Sequence, residues 1–372
     1  MQNNKIRLMV IDDSAVYRAW LIGNISKDPR FEIVGYAVNA FDAKQKIDLL
    51  KPDILTLDIE MPGMSGLDFL KELLPKKPIP VILVSSLDLK VFDALSAGAV
   101  DFVQKPDMTS ANRKELFLTT LMNKLVIGSH AKVRITPQVT PAPAPGPGLG
   151  TSAFSRQAAG AGTGTGAGTN RVLPGRPLSP AANQMIIAIG ASTGGTEATL
   201  EVLQQFPANM PGIVVTQHMP PGFTAMYAER MNRLCKMEVR EAKNGDRILP
   251  GLVLLAPGGM QMRVVRIGGG YAVNCVEGER VSGHCPSVDV LFDSMAMHVR
   301  DKAIGIILTG MGADGAAGLL RMRRNGAYTI GQDKETCVVY GMPMEAYKIG
   351  AVCLQSPLGS IAQAVMKKLA TL

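Results

Sequence analysis

The sequence predicts an α/β protein made of two doubly wound parallel-sheet domains, and three observations carry that expectation. Short apolar runs alternate with amphipathic stretches over residues 5–128. The same alternation returns over 184–372. Between them lies a segment almost without large apolar side chains. Strands separated by helical patterns pair in parallel, with helices covering both faces. With 372 residues the chain has room for two cores.

In the first domain, strands are expected at 6–11 (IRLMVI), 33–37, 53–57 (DILTL), 80–84 (PVILV) and 100–103. Amphipathic stretches such as 40–50 and 65–74 separate them. Next come TPAPAPGPGLG and AAGAGTGTGAGT. Such a composition buries too little surface to offset its ordering entropy, so it reads as a linker. About 50 residues of it span on the order of 40 Å. In the second domain, strands are expected at 186–190, 212–216, 303–309 and 327–331. Three short strand patterns over 252–276 interrupt the alternation, and Gly268, Gly269 and Gly270 join QMRVVRI to YAVNCV as a hairpin. After Pro286, Val288, Leu291, Phe292, Met295 and Val299 recur at helical spacing. The expected partition is 1–130, 131–183 and 184–372.

Composition narrows the function. No apolar run approaches the ~18 residues of a membrane helix, and the start, MQNNKIRLMVIDDS, has no signal-peptide pattern, so a cytoplasmic protein is expected. Cys235, Cys275, Cys285, Cys337 and Cys353 lack CxxC spacing and read as free thiols. The formal net charge is +8, but 116–196 contains no Asp or Glu and supplies six of those charges. The remaining +2 argues against a folded nucleic-acid-binding face.

Asp12 and Asp13 fall at the end of the first strand, Asp58 after the third, Ser85 at the end of the fourth and Lys105 after the fifth. Ligands bind beyond the carboxyl ends of such strands. Asp and Ser there can simply cap helices, but five such groups at successive strand ends call for a shared ligand. Three carboxylates together need a cation, and hard oxygen donors suit Mg²⁺. One of them can then attack phosphorus, with Lys105 and the Ser85 hydroxyl on the phosphoryl oxygens.

MVIDDSAVYR, ILTLDIEMPGMSGLDFL, VILVSS and AGAVDFVQKP closely resemble the motifs of response-regulator receiver domains over residues 5–107. The resemblance implies the flavodoxin-like fold, Asp58 as phospho-acceptor and a sensor histidine kinase as phosphodonor. It also implies Mg²⁺ held by Asp12, Asp13, Asp58 and the Glu60 main-chain carbonyl, with Ser85, Phe102 and Lys105 as the switch.

The second domain places a serine between glycines in IAIGASTGGTEA, residues 187–198. Ser192 follows one expected strand, His218 (in TQHMPPGF) a second and Asp314 (in GMGADGAAG) a third. One crevice can therefore collect a hydroxyl, a base and an orienting anion. A helix opening near Thr196 would aim its positive end at an oxyanion. Gly190-Ala191-Ser192-Thr193-Gly194 fits G-x-S-x-G. The pattern is common in strand–helix turns, however, and the order Ser, His, Asp is not that of the α/β-hydrolases.

A rival reading is the G-x-G-x-x-G of Gly310, Gly312 and Gly315, with Asp333 further on. Asp314 would repel the pyrophosphate that such a turn holds. His284, in SGHCPSVD, competes with His218 as base. Its neighbour Cys285 reads as a buried apolar thiol, His130 as solvated and His298 as a helix-terminal residue.

IAIGASTGGTEA, VVTQHMPPGFT, VLLAPGGMQM, GHCPSVDVLFDS and IILTGMGADGAAG resemble the chemotaxis protein-glutamate methylesterase family through most of 186–347. The resemblance implies Ser192 as nucleophile, His218 as base and Asp314 as orienting acid, with Thr193 and the Met311 main-chain amide as supporting and oxyanion positions. It implies methyl-accepting chemoreceptors as substrate, with glutamine deamidation alongside and no cofactor for ester hydrolysis. A receiver-controlled hydrolase of another ester or amide, and a receiver fused to a non-catalytic module, are the competing expectations.

Overall fold

The computed structural model describes residues 5–86, 90–133 and 178–372. The low-complexity part of the expected linker, 134–177, lies outside the described residues. The first half runs β1 (Ile6–Ile11), α1 (Ala15–Ile25), β2 (Phe31–Ala37), α2 (Ala40–Leu50), β3 (Ile54–Leu57), α3 (Gly66–Leu73), β4 (Val81–Ser85), α4 (Lys90–Ser96), β5 (Asp101–Gln104) and α5 (Ala111–Gly128). Its five strands lie in the order β2-β1-β3-β4-β5, all parallel. The strand order reverses between β1 and β3, so the carboxyl ends of those two strands open a crevice. Side-chain caps stop the helices from running back into the strands: Ser14 accepts from the Tyr17 amide, Asn39 from Asp42 and Ser65 from Asp68.

The second half runs α6 (Pro180–Asn183), β6 (Ile186–Ala191), α7 (Gly195–Gln205), β7 (Gly212–Gln217), α8 (Phe223–Leu234), β8 (Glu238–Glu241), β9 (Leu252–Leu255), β10 (Gln261–Ile267), β11 (Gly270–Val276) and α9 (Val288–His298). After a 3₁₀ turn at Arg300–Lys302 come β12 (Ala303–Ile307), α10 (Ala316–Arg324), β13 (Tyr328–Gln332), α11 (Met342–Lys348), β14 (Leu354–Ser356) and α12 (Leu358–Leu369). Seven parallel strands take the order β14-β13-β12-β6-β7-β9-β8, and β10 and β11 form a separate antiparallel hairpin. The switch point lies between β6 and β12, and every β6 side chain is buried because helices cover both faces.

Three expectations need correction. The first strand pattern of 252–276 is not part of an interruption: β9 belongs to the main sheet, between β7 and β8. The sheet also gains β8 and β14, which were not expected. The folded second half begins before residue 184, because Ser179 caps α6 and Ala182 is fully buried in the core.

The two halves touch. One buried apolar cluster includes Phe92 and Phe102 of the first and Phe223 and Tyr227 of the second. Phe92 stacks on Tyr227 with centroids 5.5 Å apart, and Phe102 meets Phe223 at 4.6 Å. Around these rings, Arg230 bonds both the Ser96 hydroxyl and Glu197. The Lys132 amide donates to Val338 O at 3.0 Å. Among the described residues no helix is long and apolar enough to cross a membrane.

Candidate active site and phosphorylation site

Ser192 is the first residue beyond β6, at the switch point of the larger sheet. Its amide donates to Thr309 O, and its carbonyl accepts from the Gly195 amide at 2.7 Å and Gln217 Nε2 at 2.8 Å. That tight turn needs Gly194 in the left-handed region, at φ +73°. It also needs Gly310, where a Cβ would lie 2.7 Å from the Ser192 Cβ. The glycines of 187–198 thus bring the hydroxyl close to the next strand's loop. The helices after β6, β7 and β12 begin at Gly194, Gly222 and Gly315 without a side-chain cap, so their positive ends are not screened by a capping oxygen.

His218 follows β7 and Asp314 lies in the loop after β12. The Ser192 hydroxyl donates to His218 Nδ1 at 3.1 Å, and His218 Nε2 donates to Asp314 Oδ2 at 2.7 Å. Asp314 is 2 % exposed. It also accepts from Ser287 Oγ at 2.7 Å and from the amides of Val288 (2.8 Å) and Asp289 (3.0 Å), at the start of α9. Burial alone would raise its pKa, but the hydrogen bond and electrostatic attraction of the His218 ring, with the Asp289 and Ser287 donors, hold it below the ordinary carboxylate value. The carboxylate therefore stays ionised and fixes the imidazole.

Thr193 is buried, and its hydroxyl donates to Asp101 Oδ2 at 2.6 Å. Met311 is exposed on the loop beyond Gly310. His284 is not hydrogen-bonded to Ser192; its ring lies flat on His218, centroids 3.6 Å apart and 9° from parallel. The expectation of a buried Cys285 thiol needs correction. The residue is half-buried on the same loop, its Sγ 3.8 Å from Gly278 O, because the loop runs along the surface rather than through the core. His130 is exposed against Ser129 and Val126 O, and His298 ends α9 half-buried. The G-x-G-x-x-G turn is filled from within, since Asp314 takes the α9 amides and Asp333 caps a local turn at Thr336.

At the switch point of the smaller sheet, carboxylate oxygens of Asp12, Asp13 and Asp58 lie within 4.8 Å of one another. Lys105 Nζ reaches Asp58 Oδ2 at 2.6 Å and Asp12 Oδ2 at 3.0 Å. The Glu60 amide donates to Asp58 Oδ1 at 3.2 Å. Burial raises the Asp58 pKa despite Lys105. The Ser85 hydroxyl is buried and has no hydrogen-bond partner among the described residues, a donor left over for a ligand. This hard-oxygen set fits a divalent cation of the Mg²⁺ type. Asp58→Ala should take up no phosphoryl group from acetyl phosphate, measured by radiolabel incorporation; stoichiometric labelling would exclude Asp58 as acceptor.

The two sites are joined through Asp101 and Phe223, neither of which carried a sequence signal. Asp101 accepts Thr193 on one oxygen and Lys124 Nζ (2.7 Å) on the other. Phe102, on the same strand, is the ring that meets Phe223. The receiver-like half therefore rests on the residue next to Ser192.

Fold and site together define a two-domain protein in which a receiver abuts an α/β domain bearing a serine–histidine–aspartate array. The CheB methylesterase family model matches residues 187–365 and the response regulator receiver model residues 8–115. A protein-glutamate methylesterase/protein-glutamine glutaminase 2 of Syntrophomonas wolfei is 47 % identical over 99 % of this chain and 98 % of its own. A protein-glutamate methylesterase/protein-glutamine glutaminase of Syntrophotalea carbinolica is 46 % identical over 97 % of each. The CheB methylesterase catalytic domain of Thermotoga maritima is similar at 34 % identity, covering 50 % of this chain and 98 % of that one with a TM-score of 0.49. The chain belongs to the protein-glutamate methylesterase/protein-glutamine glutaminase family.

Proposed function

We propose that the chain acts in the cytoplasm, removing methyl groups from glutamate methyl esters of chemoreceptors and deamidating selected glutamines, with Ser192, His218 and Asp314 as the catalytic set. The observation that carries this reading is the unbroken bond path from Ser192 through His218 to the buried Asp314. The Ser192 Oγ attacks the ester carbonyl while its proton passes to His218 Nδ1. The tetrahedral oxyanion is held by the α7 terminus and by main-chain amides near Thr193 and Met311. His218 returns the proton to the leaving methoxide, giving methanol and a glutamyl ester of Ser192. Water loses a proton to His218 and attacks that ester; the serine is reprotonated and free glutamate departs. An amide follows the same path with ammonia as leaving group.

Asp58 is the proposed acceptor of a phosphoryl group from a sensor histidine kinase. Asp12, Asp13, Asp58 and the Glu60 carbonyl would hold Mg²⁺, which supplies positive charge against the phosphoryl oxygens. Ser85 and Lys105 bind those oxygens, and Phe102 relays the change. Phosphorylation acts only through a difference in stability between two domain arrangements. In one of them the receiver half covers the crevice at Ser192 against a receptor helix, and the Asp101–Thr193 bond and the Phe102–Phe223 contact belong to that covered arrangement. The test is methanol release from methylated receptor, with and without phosphodonor: no release with either would overturn the reading. Asp101→Ala should raise the unphosphorylated rate roughly 5- to 30-fold, a loss of about 1–2 kcal/mol of closing free energy. An unchanged basal rate would show that this contact does not hold the cover.

A further inference from the structure

We propose that His284 is a positioning residue for the hydrolytic base, its ring laid flat on His218 to keep that imidazole in the plane joining Ser192 to Asp314. The inference rests on His218 being the base, as proposed above. Both nitrogens of His218 are engaged in its own plane. Those two bonds leave the faces of the ring uncovered, and the parallel His284 ring at 3.6 Å covers one of them. Face contact of this kind resists tilting and excludes water without offering a competing hydrogen bond.

The loop is built to present that ring. His284 and Val281 exchange main-chain hydrogen bonds of 2.9 and 3.0 Å. They are joined by a two-residue turn in which Ser282 (φ +52°) and Gly283 (φ +82°) both take positive φ. Gln261 Nε2 clamps the carbonyls of Glu279 and His284, and Arg280 donates to Gly283 O. Every one of these bonds holds the backbone, and the His284 ring hydrogen-bonds to no other described residue. Such a ring serves by its face.

Its charge state suits the role. Burial first, then the neighbouring His218 ring, with Lys124 of α5 and Arg280 of the same loop and against the attraction of Asp314, lower the His284 pKa to about 4. A ring that stays neutral tolerates an imidazolium beneath it, where a second cation would oppose proton transfer from Ser192.

The test uses the full chain with acetyl phosphate as phosphodonor and methanol release as readout. His284→Leu fills the space without a flat face, His284→Gln keeps polarity without a ring, and His284→Phe keeps the face alone. The expected result is a loss of roughly 30-fold or more in kcat for the Leu and Gln variants, KM within about twofold, and Phe within about threefold of the native chain. The native and Phe pH profiles should superimpose from about pH 6 to 9, because His284 takes no proton in that range. Thermal melting separates these effects from unfolding, and the Gln variant serves if the Leu variant melts early. Leu and Gln variants near native rate, a Phe variant as impaired as Leu, or a loss confined to KM would overturn the proposal. Ser192→Ala and His218→Ala run alongside. If they keep turnover, the hydrolase reading fails; if they lose it while His284→Leu does not, only the positioning role fails.

Discussion

Replacing Ser192 by alanine is expected to lower methanol release by roughly 10⁴-fold or more, because the covalent path disappears and only binding and oxyanion stabilisation remain. Phosphoryl uptake at Asp58 should continue at the native rate, since the acidic pocket lies at the switch point of the other sheet. The variant should fold normally: Ser192 is held through its amide and carbonyl, and alanine keeps both. Its hydroxyl makes one neutral hydrogen bond, to His218, worth about 1 kcal/mol. Residual methanol release within tenfold of native would mean that another nucleophile attacks the ester. Simultaneous loss of phosphoryl uptake would mean that the two halves cannot be separated in this way.

Much of this site could be read from the chain because chemistry in parallel sheets gathers at strand ends. Asp12, Asp58, Ser192, His218 and Asp314 all stand one to seven residues beyond an apolar run, and period and position suffice to find them. Edge elements were harder. β8 reads EVRE and β14 reads LQS; strands so short and polar carry no hydrophobic pattern, as befits sheet edges. The base was ambiguous for another reason. His218 and His284 both sit in loops near the cleft, and only coordinates reveal that one bonds Ser192 while the other lies across its face.

The contact between the halves was illegible. Residue periodicity tells which face of an element is apolar, not which distant surface will meet it. Phe92, Tyr227 and Phe223 look like ordinary core residues in their own domains. In the structure Phe92 stacks on Tyr227 and Phe223 meets Phe102 across the boundary. Asp101 is a carboxylate on a buried strand, and its partners come from α5 and from the turn beside Ser192. Because Asp101 and Phe102 are neighbours on β5 with Lys105 just beyond, a shift at the acidic pocket needs to travel only one strand to disturb the serine turn. Tight packing makes such a contact two-state rather than graded.

Asp314→Asn is expected to reduce kcat by about 10³- to 10⁴-fold while leaving substrate binding nearly intact. The carboxylate accepts four hydrogen bonds, from His218, Ser287, Val288 and Asp289. An asparagine has one oxygen, so its NH₂ must face a donor on at least one side. Turned toward His218, that NH₂ would favour the imidazole form with its proton on Nδ1, which cannot accept from Ser192. Turned the other way it would face Ser287 and the Asp289 amide and leave that amide without a partner, at about 1–3 kcal/mol. The stability difference between native and variant has a definite sign with pH. The folded-state pKa of Asp314 lies below its ordinary value, so the carboxylate stabilises the fold above the ordinary carboxylate range. That contribution fades as pH falls through the lowered value. Melting curves of the two proteins should therefore be separated at neutral pH and converge only in strong acid. Separation that persists unchanged to low pH would place the stabilisation in shape rather than charge, and an asparagine variant with native kcat would remove Asp314 from the reaction.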